Sequence, residues 1–368
     1  MTYPMKTIPG YTNSKPGIQV GTKMEGPVTR RADGSIEVDE TGVNFLLQMG
    51  IEWVMIGSHQ VPEHSAACYR ALADKLAEYG LKIYRLANDE LHNMPPVTLG
   101  LEGRDALIAR YLKYIRDLGE AGIHYATYAH MGNGIWRDFE RRPVRGGATA
   151  GGLDLNSPHR GFWHGQTYNG PYSHGRPYTE AEIWDNYRYF IDQVIPVAED
   201  AGVRIGIHPD DPPAVAIGGV PRTLFGTFDG YKRALDYANS PNIGACLCVG
   251  CWLQGAESAG STPEEFIRHF LPQGRLFKLH LRNVTRPLAA PGGFSETFPD
   301  AGYGDMAGVV RALHEGGFDG AVMNDHLIDM VGGHYSCEAY FTAYLKGLVD
   351  GIQAKPVTSP QTIPCVER

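Results

Sequence analysis

Residues 203–213 read VRIGIHPDDPP, an apolar strand-like run that ends on His208 and passes at once into an acidic, proline-stiffened loop. The same form recurs three times: Cys248 in IGACLCVG, His280 in LFKLHLRN and Asp325 in GAVMNDH. Successive members are 40, 32 and 45 residues apart, about one strand plus one helix each time. In a barrel of parallel strands the carboxyl ends converge on one rim, where active sites are built. Four side chains distant in sequence are therefore expected to be neighbours in space.

Working outward, eight short apolar runs are each followed by a segment with apolar residues at helical spacing. The runs are 17–21, 52–57, 81–86, 123–128, 203–208, 243–248, 276–281 and 320–324; the helical segments are 39–49, 65–79, 103–120, 179–200, 227–238, 262–270, 305–314 and 336–349. Thr179 with Glu182, and Thr262 with Pro263 and Glu265, read as capping boxes. Gly122 and Gly202 stand where a left-handed helix cap should precede a strand. Eight alternating units whose strands are apolar on both faces predict an α/β protein of the (β/α)8 TIM-barrel class, with a doubly wound open sheet as the alternative. The expected layout is a single catalytic barrel domain over 1–354, insertions at 135–178 and 282–304 after the fourth and seventh strands, and a C-terminal tail over 355–368. Both insertions fall on the rim that carries the four side chains.

Composition limits the function. Every apolar run ends within about ten residues, short of the ~20 needed to span a bilayer, and the first 17 residues do not read as a secretory signal. The expected location is cytoplasmic. Six cysteines, three of them crowded at Cys246, Cys248 and Cys251, form no disulfide framework. A net charge of −8 without a block of like charges argues against a nucleic-acid partner. A small molecule is the expected partner, with no membrane; a homo-oligomer is expected only by analogy with barrels that associate through their outer helices.

Two imidazoles, a thiolate and a carboxylate make a mixed donor set suited to a borderline divalent metal such as Zn, Mn, Fe or Co. Cys246 and Cys248 point the same way on a strand, and Cys248 is nearer the rim, so it is the preferred sulfur. Asp210 and Asp211 in HPDDPP are placed to orient metal-binding side chains from behind. An iron–sulfur reading of CLCVGC lacks a fourth cysteine close by.

The stretch QVIPVAEDAGVRIGIHPDDPP, followed by GVPR, NIGACLCVG, FKLHLRNV, ETFPDAGYGDM and NDH, resembles the mannonate dehydratase family across most of residues 179–350. The N-terminal half matches more thinly, at His59 in GSHQVP and at MGNGIWR with Trp136 and Arg137. The resemblance implies a metal-dependent, xylose-isomerase-like barrel, a hydro-lyase of glucuronate catabolism that removes water from D-mannonate to give 2-keto-3-deoxy-D-gluconate, usually with Mn²⁺. It places the metal on His208, Cys248, His280 and Asp325, and the acid and base on His326 and Tyr335. Arg282 and Arg222 are the candidates for binding a sugar-acid carboxylate through a guanidinium fork, with His59 and Arg137 as further substrate contacts. Met323-Asn324 stand where the family usually has Arg-Pro, and Cys251-Trp252-Leu253 where it usually has Ser-Tyr-Gly, so a larger, more apolar ligand wall is expected. The alternative function is a metal-dependent epimerase, isomerase or other lyase acting on a different carbohydrate.

Overall fold

The computed structural model describes residues 17–353; the expected tail and the stretch read for a signal lie outside them. The barrel strands are β1 (Ile18–Lys23), β2 (Trp53–Ile56), β3 (Lys82–Leu86), β4 (Tyr125–Ala129), β5 (Arg204–His208), β6 (Ile243–Cys248), β7 (Leu276–His280) and β8 (Gly320–Met323). They form one sheet in the order β3-β2-β1-β8-β7-β6-β5-β4, and every ladder in it is parallel. Between β3 and β4 the closure is marked by a bridge from Asn93 to Ala129. The fold is the expected TIM barrel.

Eight helices complete the units: α1 (Glu40–Gln48), α2 (Ala66–Ala77), α3 (Arg104–Glu120), α4 (Glu180–Ala201), α5 (Phe228–Ala238), α6 (Pro263–Phe270), α7 (Met306–Glu315) and α8 (Gly333–Gln353). Their starts follow from sequence. Thr179 Oγ1 accepts from the Glu182 amide while Glu182 accepts from the Thr179 amide, and Thr262 and Glu265 repeat the exchange at α6. At the end of α4, Gly202 takes φ +63° and returns the chain toward β5, a conformation that a side chain would strain. The inward face of α4 buries Ile183, Tyr187, Phe190, Ile191, Val194 and Ala198 against the sheet. Each large apolar side chain there contributes about 1.5–3 kcal/mol. Trp53, Tyr84, Tyr125, Phe277, Ala321 and Met323 form a separate buried cluster.

Both insertions are ordered. In the first, Ile135–Asp138 and His159–Trp163 pair antiparallel, and Gln166–Tyr168 adds a third strand. In the second, Asn283–Val284 pairs with Phe294–Thr297. Gly152–Leu153 of the first then joins the outer edge of Phe294–Thr297. The two rim loops share one small sheet.

Among the described residues, no helix is long and apolar enough to cross a membrane, and Cys68, Cys246, Cys248, Cys251 and Cys337 are buried free thiols.

Candidate metal centre

His208, Cys248 and His280 close β5, β6 and β7, and Asp325 follows β8 by two residues. Parallel registry brings them together: Cys248 pairs with His280, and His280 with Met323. One ligand atom from each of the four lies within 4.8 Å of the others. Cys248 Sγ is 3.4 Å from Asp325 Oδ2, and His280 Nδ1 is 3.5 Å from Asp325 Oδ1.

The tautomers suit a cation. His208 Nδ1 donates to the Pro209 carbonyl at 2.7 Å, which leaves Nε2 as its basic nitrogen. His280 Nδ1 is buried without a hydrogen-bond partner among the described residues, an arrangement that costs free energy unless something occupies it. Burial, followed by the Lys278 charge, pushes His280 down to about 4, so its ring is neutral at pH 7. Burial opposes ionisation of Cys248, but hydrogen bonding with Cys251 and the Arg282 charge bring it well below the usual thiol range; Cys251 is pushed up in turn. Asp325 likewise resists the effect of burial, above all through the charge of His326, with Arg282 also beside it. Two imidazoles, a thiolate and a carboxylate fit a divalent metal.

Beside this set lies a second buried group, Asp211, Glu296 and His326, bound together by two arginines. Arg137 donates from Nη1 and Nη2 to the two Asp211 oxygens at 2.7 and 2.8 Å and from Nη2 to Glu296 Oε1 at 2.6 Å. Arg282 Nη1 is 3.1 Å from both Asp211 and Glu296 and 3.2 Å from Asp325, while Nη2 donates to Cys251 Sγ. His326 Nδ1 is 2.6 Å from Glu296 Oε1, with Arg282 Nη1 2.7 Å from the same nitrogen. That nitrogen cannot donate and accept at once; we assign its proton to Glu296, because an anion attracts it and a guanidinium repels it. Burial works against a charged His326 ring, yet Asp325 and Glu296 raise it above the ordinary imidazole range.

Several sequence expectations land elsewhere. Arg282 and Arg222, expected to bind a carboxylate from the substrate, are both fully buried. The Arg222 guanidinium donates to Asn133 Oδ1 and to the Gly134 and Pro212 carbonyls, tying the first insertion to the HPDDPP loop. Arg137 is bound to the two carboxylates just described. His59 lies exposed on a short turn, Ser58–Gln60. Tyr335, expected to work with His326, is 39% exposed on α8, its ring packed on Phe45 at 4.6 Å. Asp211, expected to orient the donors, is bound instead by Arg137 and Arg282; buried Asp210 is raised to about 7 by desolvation, which outweighs the nearby Arg222 charge. Trp252 does not enlarge the ligand wall, since it turns into the helix layer against Tyr231 and Phe266.

Glu296 was not singled out from sequence. It lies in the ETFPD segment, with only a loop acid as its signal, and its importance depends on Phe294–Thr297 folding back over the rim. A cavity of about 180 Å³ adjoins the donors, lined by His208, His280, Asp325 and His326 and also by Lys23, Arg85, His92 and Trp163.

Fold and cluster together define a (β/α)8 barrel with a candidate divalent-metal centre at its strand-end mouth. The D-mannonate dehydratase (UxuA) family model matches residues 172–358. Mannonate dehydratase 2 of Halalkalibacterium halodurans is 30% identical over 279 residues, 70% of this chain and 76% of that protein. Mannonate dehydratase of Streptococcus pneumoniae is 32% identical over 273 residues, 69% and 72% respectively. The chain belongs to the mannonate dehydratase family and is an enzyme of the hydro-lyase class. In fold it is similar to the crystal structure of mannonate dehydratase from Streptococcus suis serotype 2, with a TM-score of 0.73 and 24% identity over 94% of this chain and 99% of that one. L-ribulose 3-epimerase shares the architecture more distantly, at a TM-score of 0.56 and 12% identity over 91% and 95%.

Proposed function

We propose that this enzyme converts D-mannonate, or a close relative among the sugar acids, to 2-keto-3-deoxy-D-gluconate and water, in the cytoplasm, with Mn²⁺ bound by His208, Cys248, His280 and Asp325. The observation that carries this reading is the buried four-donor set with His326 beside it, its Nδ1 held by Glu296.

When bound, the ion supplies Lewis acidity that makes the proton next to the substrate carboxylate easier to remove. With the Nδ1 proton committed to Glu296, Nε2 of His326 is the nitrogen left to take up the C2 proton. As that proton leaves, the C2–C3 double bond forms and the C3–O bond breaks. The departing oxygen takes a proton and leaves as water, and the resulting enol tautomerises to the 2-keto-3-deoxy acid. Because Tyr335 stands apart, His326 can return the same proton to the C3 oxygen, serving first as base and then as acid. A histidine suits both directions near neutral pH. The paired Arg137, Arg282, Asp211 and Glu296 hold the imidazole in place and keep the surroundings free of loosely held water.

The test is a panel of aldonates incubated with Mn²⁺-loaded protein, scored for 2-keto-3-deoxy products. The expected result is mannonate turnover that falls about 10²–10⁴-fold in His326→Ala while Mn²⁺ remains bound. Turnover without water loss, giving an epimer or a ketose, would replace dehydration with isomerisation.

A further inference from the structure

The charge along the rim is uneven. Arg137 and Arg282 are matched by Asp211 and Glu296, and a divalent ion on the donors would be matched by the Asp325 carboxylate and the Cys248 thiolate. Among the described residues, neither Lys23 nor Arg85, which line the same cavity, forms an ion pair with a carboxylate. Arg85 is 6% exposed, and its hydrogen-bond partners among the described residues are neutral: Nη2 lies 2.9 Å from His92 Nδ1, and Nη1 lies 3.2 Å from the Met55 sulfur. Lys23 Nζ donates to the Asp325 backbone carbonyl at 3.0 Å, with no carboxylate paired to it among the described residues. Lys278 is fully buried, and its Nζ has no hydrogen-bond partner among the described residues. Three carboxylates share the cavity wall: Asp211 and Asp325 are engaged by Arg282, and Asp89 is the third. A buried cation without a counter-charge is costly.

The backbone delivers these cations deliberately. The barrel ladders of the described residues contain two breaks in register: Val54 pairs with Ile83 but Met55 with Arg85, and Ala245 pairs with Leu276 but Cys246 with Lys278. The skipped residues, Tyr84 and Phe277, both join the aromatic cluster, and the Tyr84 hydroxyl donates to the Phe277 carbonyl. A break of this kind re-aims the next side chain. In each case the residue that follows the aromatic is a basic one, Arg85 or Lys278, the latter pushed down by burial to about 7. Lys23 and Arg85 also fall outside the residues matched by the family model.

We propose that Lys23 and Arg85 form an anion subsite that takes the substrate's carboxylate. A guanidinium fork and an ammonium suit its two oxygens. As the C2 proton departs, negative charge spreads onto that carboxylate, and the two cations then bind it more strongly than in the ground state. This assignment rests on the sugar-acid reading above.

The test is binding rather than turnover. Metal-free protein is titrated with D-mannonate, with the uncharged polyol D-mannitol and with inorganic phosphate, followed by calorimetry and by tryptophan fluorescence, because Trp163 lines the cavity. Mannonate should bind about tenfold or more tightly than mannitol, and Arg85→Met and Lys23→Met should each weaken it by about tenfold, the loss of one charge-assisted hydrogen bond. Mn²⁺ binding should be unchanged. Lys23 is only half-buried, so its variant carries the test if Arg85→Met fails to fold. Equal binding of mannonate and mannitol, no aldonate binding, or variants that bind like the parent would each overturn the proposal; phosphate binding more tightly than mannonate would overturn the carboxylate assignment. If no aldonate is dehydrated but mannonate binding is still lost in the two variants, the proposed reaction falls and the subsite stands. If mannonate is dehydrated with an unchanged KM in both variants, the subsite falls and the reaction stands.

Discussion

His326 and Glu296 come from different rim loops, and Nδ1 of the one lies 2.6 Å from a carboxylate oxygen of the other. The contact fixes which imidazole nitrogen carries the resting proton and which faces the substrate. Glu296→Gln keeps the shape but removes the charge that holds that proton. It should lower kcat by about 10–100-fold, the usual effect of losing a group that orients a reactive side chain, with metal content unchanged by elemental analysis. A variant with parental kcat would separate the pair from catalysis.

Arg137 supports the same carboxylates from behind. Arg137→Met would leave Asp211 and Glu296 short of a buried partner, and breaking such a pair costs about 3–5 kcal/mol. The expected outcome is a urea midpoint shifted down by that amount with an unchanged slope. A shift below about 1 kcal/mol would show that Arg282 alone satisfies both acids.

Acid should undo this network in a defined window. Burial alone would raise the Glu296 carboxyl, but the charges of His326, Arg137 and Arg282 hold it down to about 2, against an ordinary 4.5. A carboxyl depressed in the folded state contributes stability that is fully present above pH 4.5 and is lost as the pH falls toward 2. Stability measured between those limits should decline less steeply in Glu296→Gln than in the parent. Parallel declines would contradict the assignment.

The metal centre can be tested without substrate. Cys248→Ser exchanges a thiolate for a neutral hydroxyl, and Mn²⁺ affinity should fall by about tenfold or more. In the parent, Mn²⁺ at 100 times its Kd should stabilise the fold by about 2.7 kcal/mol, and a chelator should reverse the gain. An unchanged melting temperature across a Mn²⁺ titration would count against the ion.

Away from the site, Thr262→Ala removes the side chain that accepts from the Glu265 amide at the start of α6. A loss of about 1 kcal/mol is expected, read by thermal unfolding, with no change in Mn²⁺ binding.

Strand ends and caps were legible because their causes are local. Val203, Ile205 and Ile207 alternate along a run that ends where HPDDPP cannot continue a strand, and Thr179 and Thr262 carry their capping partners three residues on. Periodicity therefore also located the four donors. What escaped was set by contacts between distant segments. Nothing near Arg282 or Arg222 in the chain reveals that each guanidinium is enclosed by groups from other loops, and nothing near Arg85 reveals the skipped pairing at Tyr84 that aims it inward. Tyr335 sits in a segment whose position depends on how α8 packs against Phe45.

The ladder from Gly152–Leu153 to Phe294–Thr297 also constrains how this scaffold can be re-engineered. Because one hydrogen-bonded seam joins the loops, neither can be shortened or exchanged without unravelling its neighbour, and the second carries Glu296. Anyone transplanting a new specificity onto this scaffold must graft the two loops as a matched pair.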